Sequence, residues 1–315
     1  MRLSAVPPVL FLLLLLGHSA EAAERLDKAA YKVLAPHKAI YKIEMTAKRS
    51  SSQILNIQGE MYFAMHPSCE AWTTDHRFNL HYEYADSPPM QITSDFTTYE
   101  PLNGESFDFN SRRKRDGVMY QELRGAATRK DDGSINIQYS QPIDLHYTMD
   151  QKGLFPMGHT ATMMQKIAKG EKIFNALVFD GSDEEGPVEI NTIIGKPVNV
   201  LASFQPGPAI DTVLINSPAR KIRMAFFPTG SSAPNADYEM DVILHDNGII
   251  SYMDVDYGEF SVSQKLVALE KIAPPVCGSE AAQSTPAEKA KDRDSDASKA
   301  PAEPAPKKKL FGIIP

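Results

Sequence analysis

The sequence is poor in the residues that build most active and metal sites. Its 315 residues include two cysteines, Cys69 and Cys277, and one tryptophan, Trp72. Two cysteines cannot supply the paired CxxC motifs of a structural zinc site. The eight histidines, at 18, 37, 66, 76, 81, 146, 159 and 245, form no HxH or HExxH spacing, and the one HxxE, His18 to Glu21, falls beside the N-terminal apolar run. There is no G-x-S-x-G nucleophile elbow and no phosphate loop. No apolar run reaches the roughly 20 residues of a spanning helix. The formal charge of −7 is spread along the chain, which argues against nucleic acid as a partner.

What is present falls into three parts. Arg2, the apolar run Val9–Gly17 and the small-residue site Ala20–Ala22 read as an export signal, so residues 1–22 are expected to be removed. Neither cysteine lies near that site, so a lipid-anchored mature end is not expected. Residues 278–315 form an Ala/Pro/Lys/Glu-rich tail. Up to Lys309 it holds no aromatic residue and no Val, Ile, Leu or Met, and its six acids nearly balance its seven bases. A segment so poor in apolar area is expected to be disordered. It closes on Lys307–Lys309 and the apolar "LFGIIP", which reads as a loose end or as a short docking peptide. Between the two ends, residues 30–277 are expected to form a single domain.

That domain reads as strand after strand. Leu55, Ile57, Gly59, Met61, Phe63 and Met65 share one face of a strand. Phe78, Leu80, Tyr82 and Tyr84 repeat the pattern, as do Ile222, Met224 and Phe226, and then Tyr238, Met240, Val242 and Leu244. One apolar and one polar face is the signature of antiparallel sheet with one side in water. Asp116-Gly117, Asp132-Gly133 and Asn247-Gly248 supply hairpin turns. The expectation is an all-β fold of a dozen or more strands, with one central amphipathic helix around residues 156–169. Pro156 suits its first turn and Gly170 its C-terminal stop, and Met157, Ala161, Met164 and Ala168 line its apolar stripe. The methionines read as core rather than as a metal box.

Candidate chemistry is sparse. The loop Phe179–Pro187 packs Asp180, Asp183, Glu184 and Glu185 into six residues, yet matches no calcium loop and reads as an acidic solvated hairpin. Arg112, Arg113, Lys114 and Arg115 sit beside a turn. They read as a solvated strand end or as a contact for an acidic partner. His37 and His159 read as hydrogen-bonded structural groups. We therefore expect no catalytic residue, no cofactor and no metal.

Cys69, in "MHPSCEAW", has three possible fates: nucleophile, metal ligand or disulfide. A nucleophile needs a partnered base and a ligand needs neighbours, and neither is evident. Exported thiols meet an oxidising compartment and pair. Cys277 closes the domain, 277 − 69 = 208 positions on. Closing a loop of that size stabilises by roughly 5 kcal/mol in the chain-entropy model, comparable with a typical domain's whole net stability. Trp72 is expected to pack against the bond.

"LAPHKAIYKIEM", "CEAW", "LFPMGHT", "VFDGSDEEG" and the final strand leading into Cys277 together resemble the EipB family of α-proteobacterial cell-envelope integrity proteins. The resemblance covers roughly Leu34 to Cys277. It implies a periplasmic protein with a curved antiparallel sheet, a β-spiral or open barrel wrapped around a helix, and one disulfide, here Cys69–Cys277. It implies a role in envelope maintenance linked to a tetratricopeptide-repeat protein, and it carries no catalytic residues. The alternatives are a carrier holding a lipid or lipopeptide on the concave face of the sheet, and a hydrolase, which would need a His–carboxylate pair in a cleft.

Overall fold

The computed structural model describes residues 28–230 and 235–277. The expected signal segment and C-terminal tail lie outside these residues. Fourteen strands form one sheet: β1 (His37–Lys48), β2 (Ile54–Pro67), β3 (Ala71–Tyr84), β4 (Met90–Pro101), β5 (Ser106–Arg115), β6 (Val118–Arg129), β7 (Ile135–Gln141), β8 (His146–Met149), β9 (Ile173–Val178), β10 (Val188–Val198), β11 (Ala219–Pro228), β12 (Tyr238–His245), β13 (Ile250–Asp256) and β14 (Phe260–Lys271). The spatial order is β8 through β1, then β14 back to β9, with every neighbour antiparallel. Two meanders thus meet at the β1–β14 seam, and the free edges are β8 and β9.

Those edges are drawn together by the connection between them. The Leu154 N–H donates to Leu177 O at 2.8 Å, and the Phe179 N–H donates to Leu154 O at 3.0 Å. This bridges the edges and nearly closes the sheet into a barrel. The helix α1 (Pro156–Ala168) follows directly and enters the interior. Two short helices, α2 (Val200–Ser203) and α3 (Thr212–Ile215), and a 3-10 turn at Lys28–Val33 are further elements. Ile210, Leu214 and Ile215 cover one end of the barrel, where Asn247 Nδ2 donates to Leu214 O at 2.7 Å.

The inner face holds the core. Ile57, Met61, Phe63 and Met65 point inward as their alternation requires, but Leu55 is 47% exposed. A register shift between Ile54 and Asn56 turns Ile54 inward in its place. A bulge adds one residue and reverses the phase of everything beyond it, which alternation alone does not reveal. Helix α1 departs similarly from its expected stripe. Ala168 is exposed, whereas Met163 and Ile167 are buried. A helix enclosed by a barrel buries more than one stripe, and only its last turn reaches solvent.

Two apolar clusters fill the interior. The larger joins β1–β3 and β9–β14 to α1. The smaller is an aromatic group under β4–β8, in which Phe107 stacks on Phe155 at 5.3 Å and Phe109 meets Phe179 edge-on at 5.4 Å. A void lined by His37, Tyr41, Phe63 and Met253 amounts to about 10 Å³, room for one water at most. Among the described residues these two clusters pack the inner face of the sheet.

Candidate functional site

Three features carry the chemistry of the molecule: a disulfide clasp, a polar cluster at the start of α1, and a closing loop held by β5–β8. Cys69 lies in the turn between β2 and β3, and Cys277 six residues beyond β14. Their sulfurs are bonded, with Cα atoms 5.6 Å apart. Trp72 is buried two strand positions inside the turn, in the larger cluster. Both cysteines are exposed, so the bond clamps the outside of the barrel.

The second feature begins from a missing cap. Phe155 precedes α1 and offers no side-chain oxygen to the first free N–H groups. Glu100 of β4 supplies both. Its Oε2 accepts from Met157 N and its Oε1 from Gly158 N, each at 2.8 Å. Glu100 shares the inward phase of Phe96 and Thr98, and is fully buried. Burial pushes its carboxyl up to about 8, against the pull of the two N–H donors. Burial likewise raises the Tyr31 hydroxyl above its usual range, with Glu100 adding to it. His37, Phe63, His76 and Phe96 form an inner row with ring centroids 5.3, 4.8 and 6.0 Å apart. Desolvation lowers His37 to about 4, His76 to about 3 and His159 to about 4. His37 Nδ1 lies 2.7 Å from Ala35 O. The Nε2 of His159, like that of His76, has no partner among the described residues. These histidines act as core aromatics.

The third feature bears on two expectations. The acidic loop Phe179–Pro187 is a hairpin joining the paired strands β9 and β10, with Glu184 and Glu185 exposed, but its backbone lies against the inner side of β5–β8 rather than in solvent. Phe179 enters the aromatic cluster, Arg113 Nη2 donates to Ser182 O at 2.7 Å, and the Tyr139 hydroxyl donates to Asp183 O at 2.6 Å. The Tyr147 hydroxyl donates to Glu184 O. Gly181, at φ +67°, lets the backbone rest on the Phe109 ring, where a Cβ would stand 2.5 Å from Cγ. Nor do the four basic residues form one patch. Strand alternation sends Arg112 and Lys114 outward, and Arg113 and Arg115 inward. Arg112 Nε pairs with Glu122 at 3.2 Å, and Arg115 lies over the Tyr120 ring at 5.1 Å. Arg113 also donates to Gln121 Oε1 at 2.9 Å. Three of the four are engaged in holding the fold, because period 2 splits any run of adjacent charges between two faces.

Among the described residues, two histidines stand near a carboxylate or a hydroxyl. His66 Nε2 stands 3.9 Å from Asp75 Oδ2 on the outer face, beyond hydrogen-bond reach. His245 Nε2 lies 3.0 Å from Ser251 Oγ, but its Nδ1 faces the carbonyl of Ser217 at 3.3 Å, and both side chains are buried. No three His, Cys, Asp or Glu side chains converge on a metal-sized site among the described residues. No described helix is long and apolar enough to cross a membrane.

A nearly closed antiparallel β-barrel around a buried helix, clasped outside by one disulfide, defines a β-barrel-like protein whose interior is core. Residues 28–273 match the family described as EipB-like, and the chain belongs to it. It is 28% identical over 244 residues to the cell envelope integrity protein EipB of Brucella abortus, covering 75% of this chain and 84% of that protein. A crystal structure of a β-barrel-like protein from Brucella abortus superposes with a TM-score of 0.68 at 26% identity, covering 76% of this chain and 99% of that one.

Proposed function

We propose that this protein is exported, loses residues 1–22, and maintains the cell envelope from the periplasm as a non-enzymatic binding protein. Its partner on this reading is a protein, of which a periplasmic tetratricopeptide-repeat protein is the leading class, or cell-wall material. The observation that carries the reading is the match to a cell envelope integrity protein along most of both chains. The filled interior supports binding through the outer surface and weighs against a lipid or lipopeptide on the concave face. Lys114 remains the outward-facing member of the basic group with no ion pair among the described residues, while Arg112 is held by Glu122.

The test is complementation. An α-proteobacterium lacking its EipB should regain resistance to detergent and cell-wall stress when this chain is expressed with its own leader, and crosslinking in the periplasm followed by mass spectrometry should recover a protein. Failure to restore resistance at normal periplasmic levels would remove the envelope role. Recovery of lipid alone would favour the carrier.

A further inference from the structure

The outer face of the barrel carries a groove that none of the features above uses. Ile243, Tyr252 and Lys265 are register partners across β12, β13 and β14, and form its floor. Val198, Val200 and Phe204, at the end of β10 and around α2, form its other wall. The groove has a volume of about 390 Å³, and its lining is mostly apolar. That volume lies within the usual range for pockets that take a small ligand, roughly 300–1,000 Å³.

One strand step away the surface changes character. Asp241 faces Asp254, and Glu239 faces Asp256, across the β12–β13 pair. Like charges directly opposite one another on a sheet are unfavourable. Among the described residues two cations pair with these four acids: Lys221 reaches Asp241 at 3.1 Å, and Arg223 reaches Glu239 at 3.1 Å and Asp241 at 3.6 Å. Desolvation raises the Asp254 carboxyl, with Asp241 and Asp256 adding to it, against the pull of the Tyr252 hydroxyl and of Lys221. An apolar groove therefore borders an anionic surface, in that order along β13.

The chain itself contains a segment with the matching order. Lys307-Lys308-Lys309 is followed at once by Leu310-Phe311-Gly312-Ile313-Ile314-Pro315, the apolar stretch of an otherwise polar tail. Thirty-two residues separate Cys277 from Leu310. A chain of that length spans up to about 100 Å at full extension, several times the width of the sheet. Tethering also gives the segment a high effective concentration at any site it can reach.

We propose that residues 310–315 dock in cis into the groove between α2 and the outer face of β12–β14, with Lys307–Lys309 set against Asp254 and Asp256. The bound segment covers Ile243 and Tyr252. An external partner using this face would have to displace it.

The experiment uses the full chain carrying a photoreactive benzoylphenylalanine at position 311. Illumination should join that residue to peptides containing 198–204 or 243–252 of the same molecule, in a yield that does not change on dilution. Reversing Lys307, Lys308 and Lys309 to Glu should lower the yield several-fold, and so should Ile243→Asp. Because Ile243→Asp could disturb the sheet, Leu310→Asp with Ile313→Asp is the companion variant; it touches no residue of the barrel and should abolish the crosslink. Crosslinks that form between copies and fade on dilution would overturn the proposal, as would crosslinks mapping elsewhere, or a yield no higher than with the photoreactive residue at Ala297.

Discussion

At the scale of single residues, the interior holds ionisable side chains in their neutral forms, and this sets the response to pH. His37, His76 and His159 have folded values well below 6.5. As pH falls below 6.5 the unfolded chain takes up protons there and the folded chain does not, so stability present above 6.5 is lost toward pH 4. Glu100 has the opposite sign. Its folded value of about 8 lies above its unfolded one, so the folded state binds the extra proton and stability falls as pH rises from 4.5 to 8. His245 is lowered in the same direction by desolvation, so the histidines outnumber Glu100 and the unfolded chain binds the larger number of protons on the acid side of 6.5. Denaturation in urea from pH 5 to 9 should therefore show a maximum near pH 6.5. His76→Phe, which keeps a ring between Phe63 and Phe96, should make the acid limb shallower. Glu100→Gln should flatten the decline from 6.5 to 8. Unchanged limbs in both variants would mean these groups are solvated in the folded protein.

Individual elements are held in place by others distant in sequence. Helix α1 has no cap of its own and takes one from β4. The sheet closes because the β9–β10 loop lies on β5–β8. That docking depends on close backbone approach, so Gly181→Ala should cost more than the roughly 1–2 kcal/mol of left-handed backbone alone. Gly104→Ala is the control. Its φ is +67°, like that of Gly181, but nothing lies within 4 Å of its added Cβ. If the two substitutions lower stability equally, the loop does not press on Phe109 as described.

For the molecule as a whole, the decisive constraint is the clasp between the first third of the chain and its end. The disulfide joins residues 208 apart and restricts the unfolded ensemble far more than the folded one. Cys69→Ser and Cys277→Ser should each reduce stability by a similar amount, at most about 5 kcal/mol, and the double variant should cost little more than either. Additive losses from the two single changes would show that the cysteines act separately. The clasp lies outside the packed interior, so the reduced protein should keep its fold at low temperature, which circular dichroism would report.

Much of this was legible in the sequence because strand alternation is a local signal. The apolar faces of β3, β11 and β12 and the position of α1 follow from residues a few positions apart. Three inward polar positions also left a trace there: His76 is in phase with Phe78, Glu100 with Phe96, and Arg113 with Phe109. A charged or titratable residue in register with an apolar face is the mark of an inward polar group. The remaining features depended on contacts between distant segments. The bulge at Ile54, the docking of the acidic loop, the splitting of Arg112–Arg115 between two faces and the filling of the barrel are decided by which strands meet across the sheet. Periodicity determines which side of a strand is apolar; only closure of the sheet determines what that side is pressed against.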